Sequence, residues 1–172
     1  DILLPEIWDY KQDPEDRGRE EGWFVHEIEK DRWEEKIVWN RADPTSVGWF
    51  RTDINISPKY KNCDLLFWCN GVLSEDEFYF NGVRLDENSP GALADRIYII
   101  PERLIRFGSS NTICIRILNL DRAGPSLIHQ PRLTPIHQIH SNLDLSTLFV
   151  TENDEILVLG NNSRIVKRKI IP

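Results

Sequence analysis

From Val47 onward, apolar and polar positions alternate. In "VGWFRTDINIS" (47–57), Trp49, Arg51 and Asp53 alternate with Phe50, Ile54 and Ile56, and Pro58 stops the run. A period of two sends successive side chains to opposite faces, so this stretch predicts a strand. "CDLLFWCNGV" (63–72) is almost continuously apolar and is bounded by Asn70-Gly71. That pattern suits a strand buried on both faces. "FYF" (78–80), Asn81-Gly82 and "VRL" (83–85) predict a β-hairpin. A type I′ turn needs positive φ at both central residues, and Asn-Gly accepts this. "RIYIIP" (96–101) is a strand closed by Pro101, and "TICIRILNL" (112–120) is another, rich in β-branched residues. Between them, "ERLIRFGSSNT" predicts one helical turn or a loop capped by Gly108. The loops "ENSPGALAD" (87–95) and "DRAGPSLIHQP" (121–131) are polar, and the tail 146–171 predicts three short strands with turns at Asn153-Asp154 and Asn161-Asn162.

The first 40 residues lack this period. "DYKQDPEDRGREEGWF" (9–24) is acidic and carries Pro14, Gly18 and Gly22. It predicts a long ordered strap, held by Trp8, Trp23, Trp33 and Trp39. About eight short strands, turn signals every ~8–12 residues and little helix predict an all-β fold: a two-sheet β-sandwich of the jelly-roll kind. The domain reading is a sandwich over 1–135, then a β-hairpin extension or the start of a following domain over 136–172.

Composition narrows the partners. The 172 residues include six Trp and seven Phe, bulky side chains that fill the space between packed sheets. The net charge of −7 argues against a nucleic-acid partner, which requires a basic surface. The basic run "RIVKRK" (164–169) alternates with apolar residues and reads as the solvent face of a strand. No apolar run approaches the ~18 residues needed to cross a bilayer, so no membrane partner is expected. There is no Met, even at position 1, so the chain reads as a processed form or an excised piece. The absence of a signal peptide then says nothing about compartment. Cys63, Cys69 and Cys114 read as buried free thiols, with one disulfide open as an alternative, and no CxxC pair suggests zinc.

Several pieces occur in a recognisable order: "GWF" at 22–24, "DRW" at 31–33, "GWFRTDI" at 48–54, "FYFNGVRL" at 78–85, "RIYIIPERLIRFGSSNTICIRILN" at 96–119 and "PRL" at 131–133. Together they resemble the galactose-binding-like jelly-roll domain of family 2 glycoside hydrolases (β-galactosidases, β-glucuronidases, β-mannosidases). A similar domain is inserted in bacterial sialate O-acetylesterases. The resemblance covers roughly residues 20 to 134. It departs in "GSSN", one residue longer than the family's Gly-x-Asn, and in the loop after the hairpin, which lacks the usual His. Nothing in 136–172 resembles that domain. The family's catalytic acid and nucleophile lie on a separate barrel, so the resemblance implies no catalytic residue here. It implies a carbohydrate partner, a catalytic barrel domain as partner, or both. Carried over, the loop residues that touch sugar would be Asp43 and Asp121 with Arg122. Trp49, beside that loop, could offer a flat indole face to a pyranose.

Each candidate has a plainer reading. Asp43 and Asp121 are equally turn-forming aspartates, and Trp49 equally a core residue. Glycoside hydrolysis needs two carboxylates ~5–9.5 Å apart, and the sequence singles out no such pair. His137 and His140, with His129 nearby, sit in loop-like sequence without a carboxylate among them, so a metal site is not expected. No cofactor is expected beyond a structural calcium, to which "DENS" (86–89) could contribute. Ser126 lacks the Gly-x-Ser-x-Gly elbow of a nucleophile. The sequence therefore favours a non-catalytic carbohydrate-associated module of a glycoside hydrolase or carbohydrate esterase. The alternative is a structural or protein-interaction sandwich with no sugar site.

Overall fold

The computed structural model describes residues 2–25, 32–38, 47–72, 75–85, 94–118, 130–136, 148–150, 155–159 and 165–169. The chain divides into two compact units, Asp1–Pro135 and Ile136–Pro172. The first unit contains two antiparallel sheets and, among the described residues, no helix longer than a single 3₁₀ turn.

The larger sheet has six strands. In spatial order they are β3 (Glu34–Ile37), β2 (Ile7–Gln12), β4 (Val47–Asn55), β9 (Ser110–Leu118), β6 (Asp76–Phe80) and β7 (Val83–Arg84). Its spine is the nine-residue pairing of β4 with β9, from Val47↔Leu118 to Asn55↔Ser110. The strand period brings Tyr10, Phe50, Ile115 and Phe78 into one inward row across four strands. The smaller sheet runs β1 (Ile2–Leu3), β10 (Arg132–Pro135), β5 (Leu65–Val72) and β8 (Ala94–Ile100). Its inward row is Leu133, Phe67 and Tyr98. The two rows meet in the core, with Phe78 4.5 Å from Phe67 and 4.6 Å from Tyr98, ring centre to ring centre. Phe50, Phe67, Phe78 and Phe80 are all fully buried. Burying each such ring stabilises the fold by roughly 1.5–3 kcal/mol.

The hairpin forms as the sequence predicts. Asn81 and Gly82 both take positive φ, 48° and 82°, as the turn requires. The stretch predicted as a helical turn is a short 3₁₀ turn at Glu102–Leu104. The first 40 residues differ from expectation, because they are not one strap. Ile7, Asp9 and Lys11 alternate with Trp8 and Tyr10, and this period of two makes β2 a sheet strand; β1 and β3 also lie in this region. Trp8 belongs to the inter-sheet core, and Trp39 lies outside the described residues. Asp13–Val25 lays Trp23 and Phe24 on the outer face of the six-stranded sheet, with Trp33 beside them.

The second unit holds a three-stranded antiparallel sheet: β11 (Leu148–Val150), β12 (Glu155–Leu159) and β13 (Ile165–Lys169). Its register runs from Glu155↔Lys169 to Leu159↔Ile165.

Candidate functional site

The strand ends define where a site can be built. β4 begins at Val47 and β9 ends at Leu118, and these residues are register partners. Two further ties gather at this end: Asp13 N–H donates to Val47 C=O at 2.9 Å, and Leu118 N–H donates to Glu75 C=O at 2.8 Å. The segments 39–46 and 119–129 therefore attach to neighbouring strand ends. They carry Asp43, Asp121 and Arg122, which lie outside the described residues, as do "DENS" (86–89), Ser126, His129, His137 and His140. Among the described residues, no group of three or more His, Cys, Asp or Glu could hold a metal ion.

Trp49 is described, and it is fully buried. Its Nε1–H donates to Asp13 Oδ2 at 2.9 Å. Trp23, Phe24 and Tyr79 surround its ring, with centroids 6.1, 6.5 and 5.8 Å away. The indole faces are thus used in packing, and the expectation that Trp49 offers one to a sugar is corrected. Trp49 does point away from the inter-sheet core, but Asp13–Val25 covers that outer face.

Beneath this cover the outer face is polar and aromatic. One outward row is Lys11, Trp49, Arg116 and Glu77; the next is Asp9, Arg51, Cys114 and Tyr79. Arg51 and Arg116 are almost wholly buried. Arg51 Nη1 donates to the carbonyls of Trp23, at 3.2 Å, and Val25. Arg116 donates to Asp16 Oδ1 through Nη2, at 2.6 Å, and Nε, at 3.1 Å. Glu77 is the hub. Arg19 grips it bidentately, Arg84 stands at 3.2 Å and Arg116 at 3.6 Å, and Tyr79 O–H donates to it at 2.9 Å. Burial, with the hydrogen bond to Glu77, pushes the Tyr79 hydroxyl up to about 12. Burial likewise pushes the Cys114 thiol up to about 12. All three cysteines are free thiols, Cys69 and Cys114 buried and Cys63 half-buried.

Two further clusters hold the frame. Asp76, at the start of β6, faces inward and accepts hydrogen bonds from Arg96 Nε and Tyr98 O–H of β8. This joins the two sheets through a buried ion pair. At the other end of the sheet, Asn81 and Asn111 clamp the hairpin turn. Asn81 Nδ2 donates to Leu104 C=O at 2.8 Å and to Asn111 Oδ1 at 2.9 Å, and Asn81 Oδ1 accepts from Thr112 N–H. Asn111 closes the loop before β9 through Arg106 N–H and the carbonyls of Arg106 and Ser109. The turn therefore sits at the opposite end of the sheet from Val47 and Leu118.

Sequence reasoning missed Asp13, Asp16, Arg51, Asp76, Glu77, Arg96 and Arg116. The available signal was a charge inside an apolar strand, as in "CIRIL" and "DRIYII", which marks either a solvated face or a buried pair.

Similar sandwiches occur in solved structures. A Ruminococcus gnavus β-glucuronidase in complex with D-glucuronic acid matches with TM-score 0.58 and 17% identity, over 68% of this chain and 21% of that one. A second structure of Ruminococcus gnavus β-glucuronidase matches with TM-score 0.60 and 15% identity, over 95% and 24%. A complex of that enzyme with uronic isofagomine matches with TM-score 0.59 and 14% identity, over 97% and 25%. At these identities the likeness establishes the β-sandwich fold. The chain spans about a quarter of the length of these structures. No protein-family model matches the chain, and no curated protein matches it.

Proposed function

We propose that this chain is a non-catalytic, carbohydrate-associated sandwich module of a glycoside hydrolase of the β-galactosidase/β-glucuronidase kind. The observation that carries this reading is the fold likeness to β-glucuronidases, together with the pairing of Val47 with Leu118. That pairing makes the segments bearing Asp43 and Asp121/Arg122 neighbours at their points of attachment. Carboxylates and a guanidinium suit the hydroxyls of a sugar, accepting and donating directional hydrogen bonds respectively. The test is titration calorimetry of the whole chain against galactosides, glucuronides and mannosides. Binding at millimolar concentration that Asp121→Ala abolishes supports the reading. No heat with any of the three classes overturns the sugar contact.

A second reading, docking against a catalytic barrel domain, is favoured by the outer face of the four-stranded sheet. There Trp68 pairs with Ile97 and Leu66 with Ile99, all turned away from the inter-sheet core; Trp68, Ile97 and Ile99 are half-buried and Leu66 is buried. Arg132 stacks on Trp68 at 4.5 Å. The half-buried Trp68, Ile97 and Ile99 would be the part of this face that a partner could reach. Trp68→Asp would then weaken association with a separately expressed barrel domain and leave any sugar binding intact.

A further inference from the structure

We infer that Asp13–Val25 is a latch: it lifts off the six-stranded sheet as one unit while the inter-sheet core stays folded.

Three observations carry this. First, the segment holds its own shape. Among the described residues, the backbone–backbone hydrogen bonds donated by Asp16, Glu21, Gly22, Trp23 and Val25 all end within it, on Asp13, Arg17, Arg19, Gly18 and Gly22. The Asp13 carboxylate caps it further, accepting from Arg17 N–H at 2.7 Å and Gly18 N–H at 2.8 Å. It is tied to the sheet by the Asp13 N–H bond to Val47 C=O at its first residue and otherwise chiefly through side chains. Second, the cluster beneath it (Val47, Trp49, Tyr79 and Cys114, with Trp23, Phe24 and Trp33 against them) shares no residue with the inter-sheet core. Third, lifting returns charge to water. Arg51, Arg116 and Glu77 give up their bonds to the segment but regain hydration, which offsets much of the loss. Opening the inter-sheet core exposes a much larger aromatic and aliphatic surface, against which only the Asp76–Arg96 pair is returned to water. A locally fastened segment over a separate small cluster is the kind of unit that opens below the global unfolding free energy.

The protein carries its own reporters. Cys114 lies under the latch, its Sγ 3.8 Å from Trp23 C=O. Cys69 lies in the inter-sheet core. The experiment uses the full chain with Cys63→Ser, an aromatic disulfide reagent, and mass spectrometry to assign each labelled thiol. Rates are normalised to those of the unfolded chain. Cys114 is expected to label at least ~10-fold faster than Cys69, with a shallow urea dependence, because little surface opens. Arg19→Gln, which loosens the grip on Glu77, should raise the Cys114 rate several-fold, with any rise at Cys69 no larger than the variant's loss of global stability accounts for. Gly18→Ala should also raise the Cys114 rate, since a Cβ there would stand 2.6 Å from Trp49 Nε1 and 2.7 Å from Trp23 Cε3, and Cys114 should still label faster than Cys69. Equal normalised rates with the same steep urea dependence would overturn the latch. So would a Cys114 rate that neither variant moves.

Discussion

Strand β4 has two faces, and both are buried. Phe50 faces the other sheet and Arg51 faces the latch, and each is fully buried. The inner face is closed by packing, ring against ring. The outer face is closed by guanidinium groups that find carbonyls and carboxylates on a segment far away in sequence. Alternation of apolar and polar residues therefore reports chemistry on each side of a strand, not exposure. A polar face can be interior when a partner supplies its hydrogen bonds.

Perturbations should separate the two faces. The largest effect belongs to the inner one. Phe78→Ala empties a site against Phe67 and Tyr98 and should cost about 3–5 kcal/mol in urea unfolding. Asp76→Ala should cost a comparable ~3–5 kcal/mol, because it leaves Arg96 buried without its carboxylate. Replacing Asp76 and Arg96 together by apolar residues should recover part of that loss. If the single and double variants are equally destabilised, the ion pair is not what joins the sheets there. On the outer face, Gly18→Ala should cost only about 1–3 kcal/mol globally, the range of an overpacked site. A loss as large as that of Phe78→Ala would mean that the two faces unfold together.

The last effect is a pH dependence shared by the two faces: burial, with Asp76 beside it, also pushes the Tyr98 hydroxyl of the inner face up, so the outer face is isolated by its own two groups. Tyr79 rises from 10.0 to about 12 and Cys114 from 9.0 to about 12. Both groups hold their proton more tightly folded than unfolded, so the unfolded chain ionises first as pH rises. Stability should be insensitive to these groups below pH 9, then fall between about 9 and 12. Tyr79→Phe should flatten part of that slope in equilibrium unfolding. An unchanged slope would assign the effect elsewhere.

Much of the sandwich was legible. The periods in "VGWFRTDIN" and "TICIRIL" became the two central strands, and Asn81-Gly82 became the turn. Strand β2 was missed, although "IWDYKQ" alternates as cleanly, because the acidic stretch after it dominated the reading. The Asn-Gly motif yielded its turn but not its second role. Asn111 reaches Asn81 across 30 residues, a contact no local pattern encodes. For the candidate site, the sequence offered Asp43, Trp49, Asp121 and Arg122. Trp49 proved to be packing, and the pairing of Val47 with Leu118 bears only on where the other three attach.

By itself, the sequence determined the all-β class, the main strand periods and the hairpin. These rest on local physics: a two-residue pleat and the φ preferences of Asn and Gly. Only the tertiary structure decided which face of each strand met which partner. It set Arg51 under Trp23, Arg116 against Asp16 and Asp76 against Arg96. The reason is that burial of a charge depends on where its counter-charge arrives, and that is fixed by sheet order and register rather than by neighbours along the chain.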